Sequence, residues 1–170
     1  MAELNQTRLK EVLHYDEDTG IFTWKKCPKT SPVKIGDKIK SLDKDGYLKV
    51  QIDYKPYRVH RLVWLWYYNK FPDKVIDHID GDVKNNKISN LREATFSQNA
   101  MNRGKTIENK SGYKGVCFHK RDKIWQSQIE FRQDGKRVIK YLGGYKTPEL
   151  AYQAYCIAAQ KYHGEFCNYG

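Results

Sequence analysis

The sequence is poor in cysteine and has no paired cysteine motif. Its four cysteines, Cys27, Cys117, Cys156 and Cys167, lie far apart, and no two of them have the Cys-x-x-Cys spacing. Structural zinc sites use closely spaced ligands of that kind. We therefore expect no structural zinc site and four reduced thiols of an intracellular protein.

Long apolar segments are also missing. The most apolar run, residues 62–68, is far shorter than the ~20 residues with which a helix crosses a bilayer. Residues 1–5 contain neither a basic nor an apolar segment, so no secretory signal is expected. The sequence predicts a soluble intracellular protein that does not contact a membrane.

Acidic side chains are outnumbered, and the excess of positive charge is uneven. The 170 residues carry 31 Lys and Arg against 20 Asp and Glu, a net charge of +11. Residues 1–102 hold 18 basic and 14 acidic side chains, net +4, whereas residues 103–170 hold 13 and 6, net +7. This excess favours nucleic acid as partner, although a solvated basic surface without a partner has the same composition. The second part is the better candidate for binding phosphates.

Hydrophobic periodicity and turn residues predict alternating short helices and strands in the first 70 residues. The expected elements are a helix starting near Asn5 or Thr7, a turn at residues 15–20, a strand at 21–24, a loop with some strand at 25–40, a strand at 47–52 with a hairpin partner at 55–59, and a helix at 60–70 that Pro72 ends.

His60 and Arg61 stand at the start of the last of these helices. A helix N-terminus and a guanidinium both bind phosphate well, so this pair is a candidate contact to DNA. A packing or capping role for His60 explains its position equally well.

The middle of the chain, from Asp77 to Asn99, concentrates polar side chains. Asp77 and His78 follow a short apolar step, Asn90 opens a short extended run, and Thr95 can cap the helix that carries Asn99. We expect this order of strand, loop, strand and helix to bring the four polar side chains together.

Such a set suits phosphodiester hydrolysis, which requires an activated water and neutralisation of charge on the phosphate. A carboxylate and an amide oxygen can share one hard divalent ion, and a neighbouring imidazole can take the proton of the water. A polar surface loop is the alternative, because such loops consist of the same residue types.

The spacing resembles the HNH nuclease motif in its His-Asn-Asn form: Asp77-His78, then Asn90 twelve residues after the histidine, then Asn99 nine further on. The flanks Val59-His60-Arg61-Leu62-Val63, Asp80-Gly81-Asp82 and Asn90-Leu91-Arg92 agree, as does the lead-in Tyr15-Asp16…Thr19-Gly20…Phe22-Thr23-Trp24. The resemblance is to phage-type HNH endonucleases, including intron-encoded homing enzymes, and covers most of residues 5–102.

The resemblance implies a ββα-metal site that leaves 5′-phosphate and 3′-hydroxyl ends. Asp77 and Asn99 would be the metal ligands, His78 the general base, and Asn90 the residue that braces the loop. The ion would be one Mg²⁺, with Mn²⁺ as the alternative, because Asn99 replaces the third histidine of many relatives. The remaining polar residues between them, Asp80, Asp82, Asn85 and Asn86, are interpreted as loop formers.

The last part of the chain is expected to be a separate α+β unit. Residues 103–110 form the predicted linker, and residues 111–170 contain three strand patterns followed by a helix that Thr147 caps and Gly164 ends. Alternation places one group of polar and aromatic side chains on the face of the sheet away from the helix: Lys114, His119, Gln126, Gln128, Arg132 and Tyr141. These are candidate DNA contacts, although a solvated face is common in antiparallel sheets.

Several segments of this unit resemble the plant ethylene-response-factor DNA-binding domain over residues 111–168. They are Ser111-Gly112-Tyr113-Lys114-Gly115-Val116, Trp125-Gln126-Ser127-Gln128-Ile129, Leu142-Gly143-Gly144-Tyr145-Lys146-Thr147, the alanine-rich helix that follows, and Asn168. Cys117, Glu130 and Ile139 stand where the plant proteins have arginines, so the plant target sequence does not transfer.

The sequence therefore predicts an α+β protein: a ββα-metal HNH nuclease unit at residues 1–102, then a three-stranded antiparallel sheet packed on one helix. The predicted function is metal-dependent, site-specific cleavage of double-stranded DNA by a homing-type endonuclease. We expect a monomer with no small-molecule cofactor. A DNA-binding regulator with a silent nuclease unit and a restriction-type nuclease are the alternatives.

Overall fold

The structure, a computed structural model, describes residues 3–28, 32–106 and 108–170. Contacts divide the chain into two units, residues 1–94 and residues 95–170. Both units combine helices with small antiparallel sheets, which confirms the predicted mixture of helix and strand. Among the described residues, no helix is long and apolar enough to cross a membrane.

The described residues of the first unit form two helices and three two-stranded antiparallel sheets, β1–β2, β3–β4 and β5–β6. In chain order its elements are α1 (Gln6–Val12), β1 (Leu13–Asp16), β2 (Ile21–Trp24), β3 (Lys49–Ile52), β4 (Lys55–Arg58), α2 (Val59–Tyr68), β5 (Val75–His78), a 3-10 turn (Ile88–Asn90) and β6 (Leu91–Ala94).

One core holds this unit together, and both helices and most of the strands contribute to it. Its most buried apolar side chains are Leu9, Leu13, Phe22, Val59, Leu62 and Val63. Because each sheet has only two strands, its stability depends on packing against the helices.

Strand β1 corrects the prediction of a turn over residues 15–20. Tyr15 pairs with Phe22 in register and is only 3% exposed, so it belongs to the core. The turn begins after Asp16, whose Oδ1 accepts the backbone N–H groups of Asp18 and Thr19. The sequence suggested a longer turn because its polar residues follow Tyr15 directly.

Strand β2 has the predicted bounds 21–24, and the other predicted boundaries in this unit differ from the structure by at most two residues. Asn5 caps α1 as expected, with its side chain accepting the N–H of Arg8 at 2.9 Å. Helix α2 ends at Tyr68 rather than at residue 70, because Asn69 adopts the left-handed conformation (φ 52°) that terminates helices. The loop after β2 contains one isolated bridge, Thr23 to Lys38; residues 29–31 of this predicted loop lie outside the described residues.

The second unit begins with α3 (Phe96–Met101) and continues with one three-stranded sheet and a long helix. Its elements are β7 (Val116–His119), β8 (Ile124–Gln133), β9 (Lys136–Tyr145) and α4 (Pro148–His163), and the strand order is β7–β8–β9. This confirms the expected three-stranded antiparallel sheet packed on one helix. Asp134 and Gly135 form the hairpin turn with positive φ angles of 50° and 74°, as an Asp-Gly type I′ turn requires.

Helix α4 lies close to the sheet because its buried side is largely alanine. Ala151, Ala158 and Ala159 are 0%, 7% and 0% exposed, and the ring of Tyr162 stacks on Phe131 of β8 with centroids 4.2 Å apart. Thr147 caps the helix as predicted, with its hydroxyl accepting the N–H of Leu150.

The division between the units falls at Ala94/Thr95 and not at the predicted residue 102. Helix α3 is bonded to the second unit: Lys114 donates to the Met101 carbonyl at 2.8 Å, and Asn168 donates to the Asn102 carbonyl at 2.8 Å.

The predicted linker, residues 103–110, also falls inside the second unit. The end of this segment forms a turn, because Asn109 Oδ1 accepts the N–H groups of Ser111 and Gly112. The charges of the two units remain +4 and +7, since residues 95–102 carry no charged side chain.

Candidate functional site

Asp77 and His78 are the last two residues of β5, in a hairpin with β6. Asp77 pairs with Arg92 and His78 with Leu91 in the register of the hairpin. Successive residues of a strand point to opposite faces, yet Asp77 is 2% and His78 4% exposed. Both faces of the hairpin end are therefore covered, and two ionisable side chains are held inside the first unit.

The Asp77 carboxylate is paired with a guanidinium across the hairpin. Arg92 Nε and Arg92 Nη2 both lie 2.8 Å from Asp77 Oδ2. A buried charged group is stabilised by such a pairing. Arg92 thus fixes the position of the Asp77 side chain.

Asn86 fixes the tautomer of His78. Its Nδ2 donates to the Lys84 carbonyl at 3.0 Å, which turns its Oδ1 toward His78 Nε2 at 3.2 Å. The amide oxygen can only accept, so Nε2 carries the proton and Nδ1 is the nitrogen with a lone pair. Asn86 is 1% exposed, and this orientation is protected from water.

Two rings pack against the base candidate, His78. The His60 ring packs edge-on against His78 with centroids 5.3 Å apart, and Tyr47 lies 5.1 Å from His60 and 5.9 Å from His78. Burial lowers the pKa of His60 to about 3, with the positive charges near it as a further cause. His60 is only 6% exposed, so of the alternatives left open by the sequence, the structure favours packing.

The same burial lowers the pKa of His78 below its usual value, and the hydrogen bond to Asn86 offsets part of this effect. His78 is therefore neutral at neutral pH. A neutral imidazole is the form that can accept a proton.

Asn90 joins the two ends of the loop between β5 and β6. Its Nδ2 donates to Asp80 Oδ1 and to the Asn85 carbonyl, both at 2.9 Å, and its Oδ1 accepts the N–H of Asp80 at 3.1 Å. Its carbonyl accepts the N–H of Ile79. These are the contacts that the predicted bracing role requires; the role itself stays a prediction.

The acidic residues of the loop are bonded within it. Asp80 accepts the N–H of Asp82 at 2.8 Å and the side chain of Asn85 at 2.6 Å, and Asp82 Oδ1 accepts the N–H of Lys84 at 2.9 Å. Burial acts to raise the pKa of Asp80, but hydrogen bonds from Asn85 and Asn90 hold it below its usual value. Their geometry agrees with their interpretation as loop formers.

The β1–β2 hairpin supports the loop from the N-terminal side. Tyr15 donates its hydroxyl proton to the Asn86 carbonyl at 2.8 Å. Gly20, at φ 72°, lies so close that a Cβ there would be 2.6 Å from Lys87 N. These contacts could not be predicted from local sequence patterns, because they join residues more than 60 positions apart.

Asn99 lies on α3, where the reciprocal cap between Thr95 and Gln98 fixes the start of the helix. The structure therefore brings Asp77, His78 and Asn90 together in the first unit, whereas Asn99 belongs to the second. Asn86, which the sequence had placed among the loop formers, joins them as the hydrogen-bond partner of His78.

The described residues contain no group of three or more His, Cys, Asp or Glu side chains that could hold a metal ion. The proposed donors, Asp77 and Asn99, are of another kind: one carboxylate and one amide oxygen. Asp77 belongs to the first unit and Asn99 to the second, so their joint binding of an ion stays a prediction.

Strand register defines the face of the second sheet opposite α4. Ser127, Ile129 and Phe131 of β8 are buried toward α4, so the even-numbered residues of β8 face away from it. His119 is opposite Ile124 and Tyr141 is opposite Gln128, and residues opposite each other in a sheet point to the same face. The predicted residues His119, Gln126, Gln128, Arg132 and Tyr141 therefore share what we call the open face.

Lys114 does not belong to this face, and that part of the prediction is wrong. It precedes β7, and its Nζ donates to the carbonyls of Met101 at 2.8 Å and Asn168 at 3.0 Å. The strand was predicted to start at Tyr113, three residues before the observed start of β7. Burial lowers the pKa of Lys114, consistent with a structural position.

The open face also carries the three departures from the plant pattern. Cys117 and Gln126 are opposite each other in the register, as are Glu130 and Ile139. Glu130 accepts two hydrogen bonds of 2.7 Å from Arg137, so its negative charge is paired with a cation.

In the first unit, the guanidinium of Arg61, the other candidate DNA contact, lies 5.7 Å from the ring of Phe71.

Comparison with known proteins identifies the segment that carries this site. Residues 57–101 match the sequence model of a family described as HNH endonuclease. This segment includes β5, the loop, β6 and α3. It therefore spans the boundary between the two units.

Two viral relatives are similar to the chain. "Uncharacterized HNH endonuclease L560" of Acanthamoeba polyphaga mimivirus is 32% identical over 127 residues, which are 74% of this chain and 63% of the relative. "Protein 3.8" of Escherichia phage T7 is 35% identical over 77 residues, 45% of this chain and 64% of the relative. The chain thus spans slightly less than two thirds of each. No solved structure matches the chain.

Proposed function

We propose that the chain is a metal-dependent endonuclease that hydrolyses phosphodiester bonds at a specific site in double-stranded DNA, of the homing type. The observation that supports this most is the His78 imidazole, buried, neutral and oriented by Asn86. It stands inside the segment that matches the HNH endonuclease family. The protein acts as a monomer inside the host cell, by nicking or by cutting both strands.

His78 is the general base. Its Nδ1 takes a proton from the attacking water, because Nε2 is committed to Asn86. Asn86 and His60 are positioning residues: one fixes the tautomer and the other packs against the ring. Asn90 keeps the loop closed around them.

Asp77 and Asn99 would hold one divalent ion, Mg²⁺ or alternatively Mn²⁺. When bound, the ion supplies positive charge to the scissile phosphate and the leaving oxygen. Arg92 holds the Asp77 carboxylate in place. Asp80 and Asp82 are not among the proposed metal ligands. Their hydrogen bonds within the loop support leaving them out.

The second unit would bind the DNA, as the resemblance to the ethylene-response-factor domain implies. Amide, aromatic and basic side chains on the open face, such as Gln128, Arg132 and Tyr141, have the length and polarity to reach phosphates and base edges. Arg61 would contribute a phosphate contact from the first unit. The net charge of +7 supports this assignment.

A nicking assay on supercoiled plasmid carrying candidate target sites tests the reaction. We expect relaxed product with Mg²⁺ and none with EDTA. His78→Ala should lower the rate by ~10²–10⁴-fold, the usual contribution of a general base, whereas His14→Ala, a change of an exposed histidine, should not.

A regulator with a silent nuclease unit is the rival function. Equally small amounts of relaxed product from wild type and His78→Ala, on DNA that both bind tightly, would support the regulator.

A further inference from the structure

The second unit contains a cleft of ≈ 580 Å³ beside α3, and Gln128 and Arg132 of the open face form part of its lining. It lies between α3 with the segment that follows it and the hairpin of β8 and β9. The lining residues that matter chemically are Phe96, Arg103, Lys105, Arg132 and Ile139.

The cleft exists because β7 is much shorter than β8. β7 pairs only with Ile124–Ser127, so the rest of that edge of β8 has no strand beside it. The α3 segment approaches there instead, and His163 on α4 bonds to the Glu130 carbonyl at 2.8 Å. An edge covered by a helix and side chains leaves room that a paired strand would fill.

The apolar part of the lining is unusually accessible. Phe96 is 83% and Ile139 53% exposed. Single exposed apolar side chains are common on protein surfaces and carry no meaning alone. Here, however, both border one cleft.

The charged part of the lining is mainly cationic. Arg103 and Lys105 are exposed, and Arg132 is exposed with one guanidinium nitrogen donating to the Gly135 carbonyl at 2.9 Å. Glu130 is the acidic residue of the lining, and its charge is balanced by Arg137 at 2.7 Å. The cleft thus offers an aromatic ring and several cations to a ligand.

We propose that this cleft binds unpaired nucleotides of a DNA strand, with a base stacked on Phe96 and the phosphates held by Arg103, Lys105 and Arg132. Aromatic platforms flanked by cations bind single-stranded nucleic acid because every base has a π-face and every linkage a negative charge. Phe96 and Asn99 are three positions apart on α3 and therefore neighbours on its surface. The site rests on the proposed function only in taking DNA as the substrate.

The test measures binding of the full-length chain to a fluorescent ten-residue oligothymidylate in EDTA. Phe96→Ala should weaken binding about tenfold or more, whereas Phe96→Tyr should keep it. Tyr54→Ala is the matched control, because Tyr54 is an equally exposed aromatic residue (84%) in the other unit. Thermal unfolding should be unchanged in all three, since both rings are largely in solvent.

Two further measurements separate stacking from charge. An oligonucleotide with 2-aminopurine should be quenched by wild type and not by Phe96→Ala. Arg103→Ala with Arg132→Ala should reduce the slope of log Kd against log salt by about one to two. Equal affinity of wild type and Phe96→Ala would overturn the proposal, and so would equally effective competition by polyglutamate, which would indicate an acidic peptide.

Failure of this site is distinguishable from failure of the nuclease proposal. Binding in EDTA does not require cleavage. If the protein quenches 2-aminopurine through Phe96 but never relaxes the plasmid, the cleft proposal stands and the nuclease proposal fails. If it relaxes the plasmid but does not quench 2-aminopurine, the nuclease proposal stands and the cleft proposal fails.

Discussion

The two units handle polar side chains in opposite ways. In the first, Asp77, His78 and Asn86 are 2%, 4% and 1% exposed. Asp77 is paired with Arg92, and His78 is hydrogen-bonded to Asn86. In the second, Gln128 and Arg132 stand on an open sheet face. Burial fixes a tautomer and a rotamer, as proton transfer requires, whereas exposure lets long side chains adapt to a large anionic ligand.

Their hairpins show the same contrast. β5 and β6 are four residues each and covered on both sides, whereas β8 and β9 are ten residues each with one face free. We infer that the first unit depends on a few buried contacts and is easily disrupted, while the second tolerates changes to its polar face.

The largest expected effect is on the buried ion pair. Arg92→Ala removes the partner of Asp77 Oδ2 and leaves a carboxylate that is 3% exposed without its counter-charge. Breaking a buried pair in this way costs about 3–5 kcal/mol. Urea unfolding measures it, and Arg137→Ala on the exposed pair of the second unit is the control that should change stability little. A loss below 1 kcal/mol would show that the pair is not buried in solution.

A glycine tests the support of the loop by the β1–β2 hairpin. Gly20→Ala should destabilise by about 2–3 kcal/mol, because it adds a Cβ 2.6 Å from Lys87 N at φ 72°. Gly46→Ala is a matched control: φ is 85°, but nothing lies within 4 Å of the added Cβ. It should cost about 1 kcal/mol. Equal losses of unfolding free energy for the two variants would mean that Gly20 is not in close contact with the loop at Lys87.

The buried His60 predicts a pH dependence of stability. Its pKa falls from 6.5 to about 3 in the folded chain, so below pH 6.5 the unfolded chain binds a proton that the folded chain does not. Its contribution is therefore complete above pH 6.5 and declines as the pH falls toward 3. Between pH 6.5 and 5 the loss should be about 2 kcal/mol.

His60→Gln isolates this effect from the titration of carboxylates. We expect the difference in unfolding free energy between wild type and His60→Gln to shrink steadily from pH 6.5 to pH 5. A constant difference would place His60 in contact with water.

The smallest expected effect concerns the open face. Glu130→Gln removes the negative charge that pairs with Arg137 at 2.7 Å, and both side chains are more than half exposed. Stability should change little, since exposed pairs contribute little. Affinity for duplex DNA should rise a few-fold at low salt, measured by anisotropy. Weaker binding would show that Glu130 itself contacts the DNA.

Local signals in the sequence predicted much of the fold. Thr95 and Thr147 cap helices where expected, and Asp134-Gly135 turns the long hairpin. These features depend on residues within four positions of each other, which the sequence shows directly.

The remainder depends on distant contacts. The Tyr15–Asn86 bond joins residues 71 positions apart, and Lys114 bonds to Asn168 across 54. The pairing of His78 with Asn86 spans eight residues, but it requires the loop to close first. No periodicity reports on such contacts, which is why Asn86 was missed and Lys114 misplaced.

One measurement tests most directly whether the first unit catalyses and the second binds DNA: the cleavage rate as a function of DNA concentration. It compares the single variant His78→Ala with a double variant that carries both Gln128→Ala and Arg132→Ala. The first should bind DNA as wild type does and lose the maximal rate. The second should need more DNA to reach half-maximal rate and keep that maximal rate. If both variants lowered the same quantity to the same extent, the separation of catalysis from binding would be contradicted.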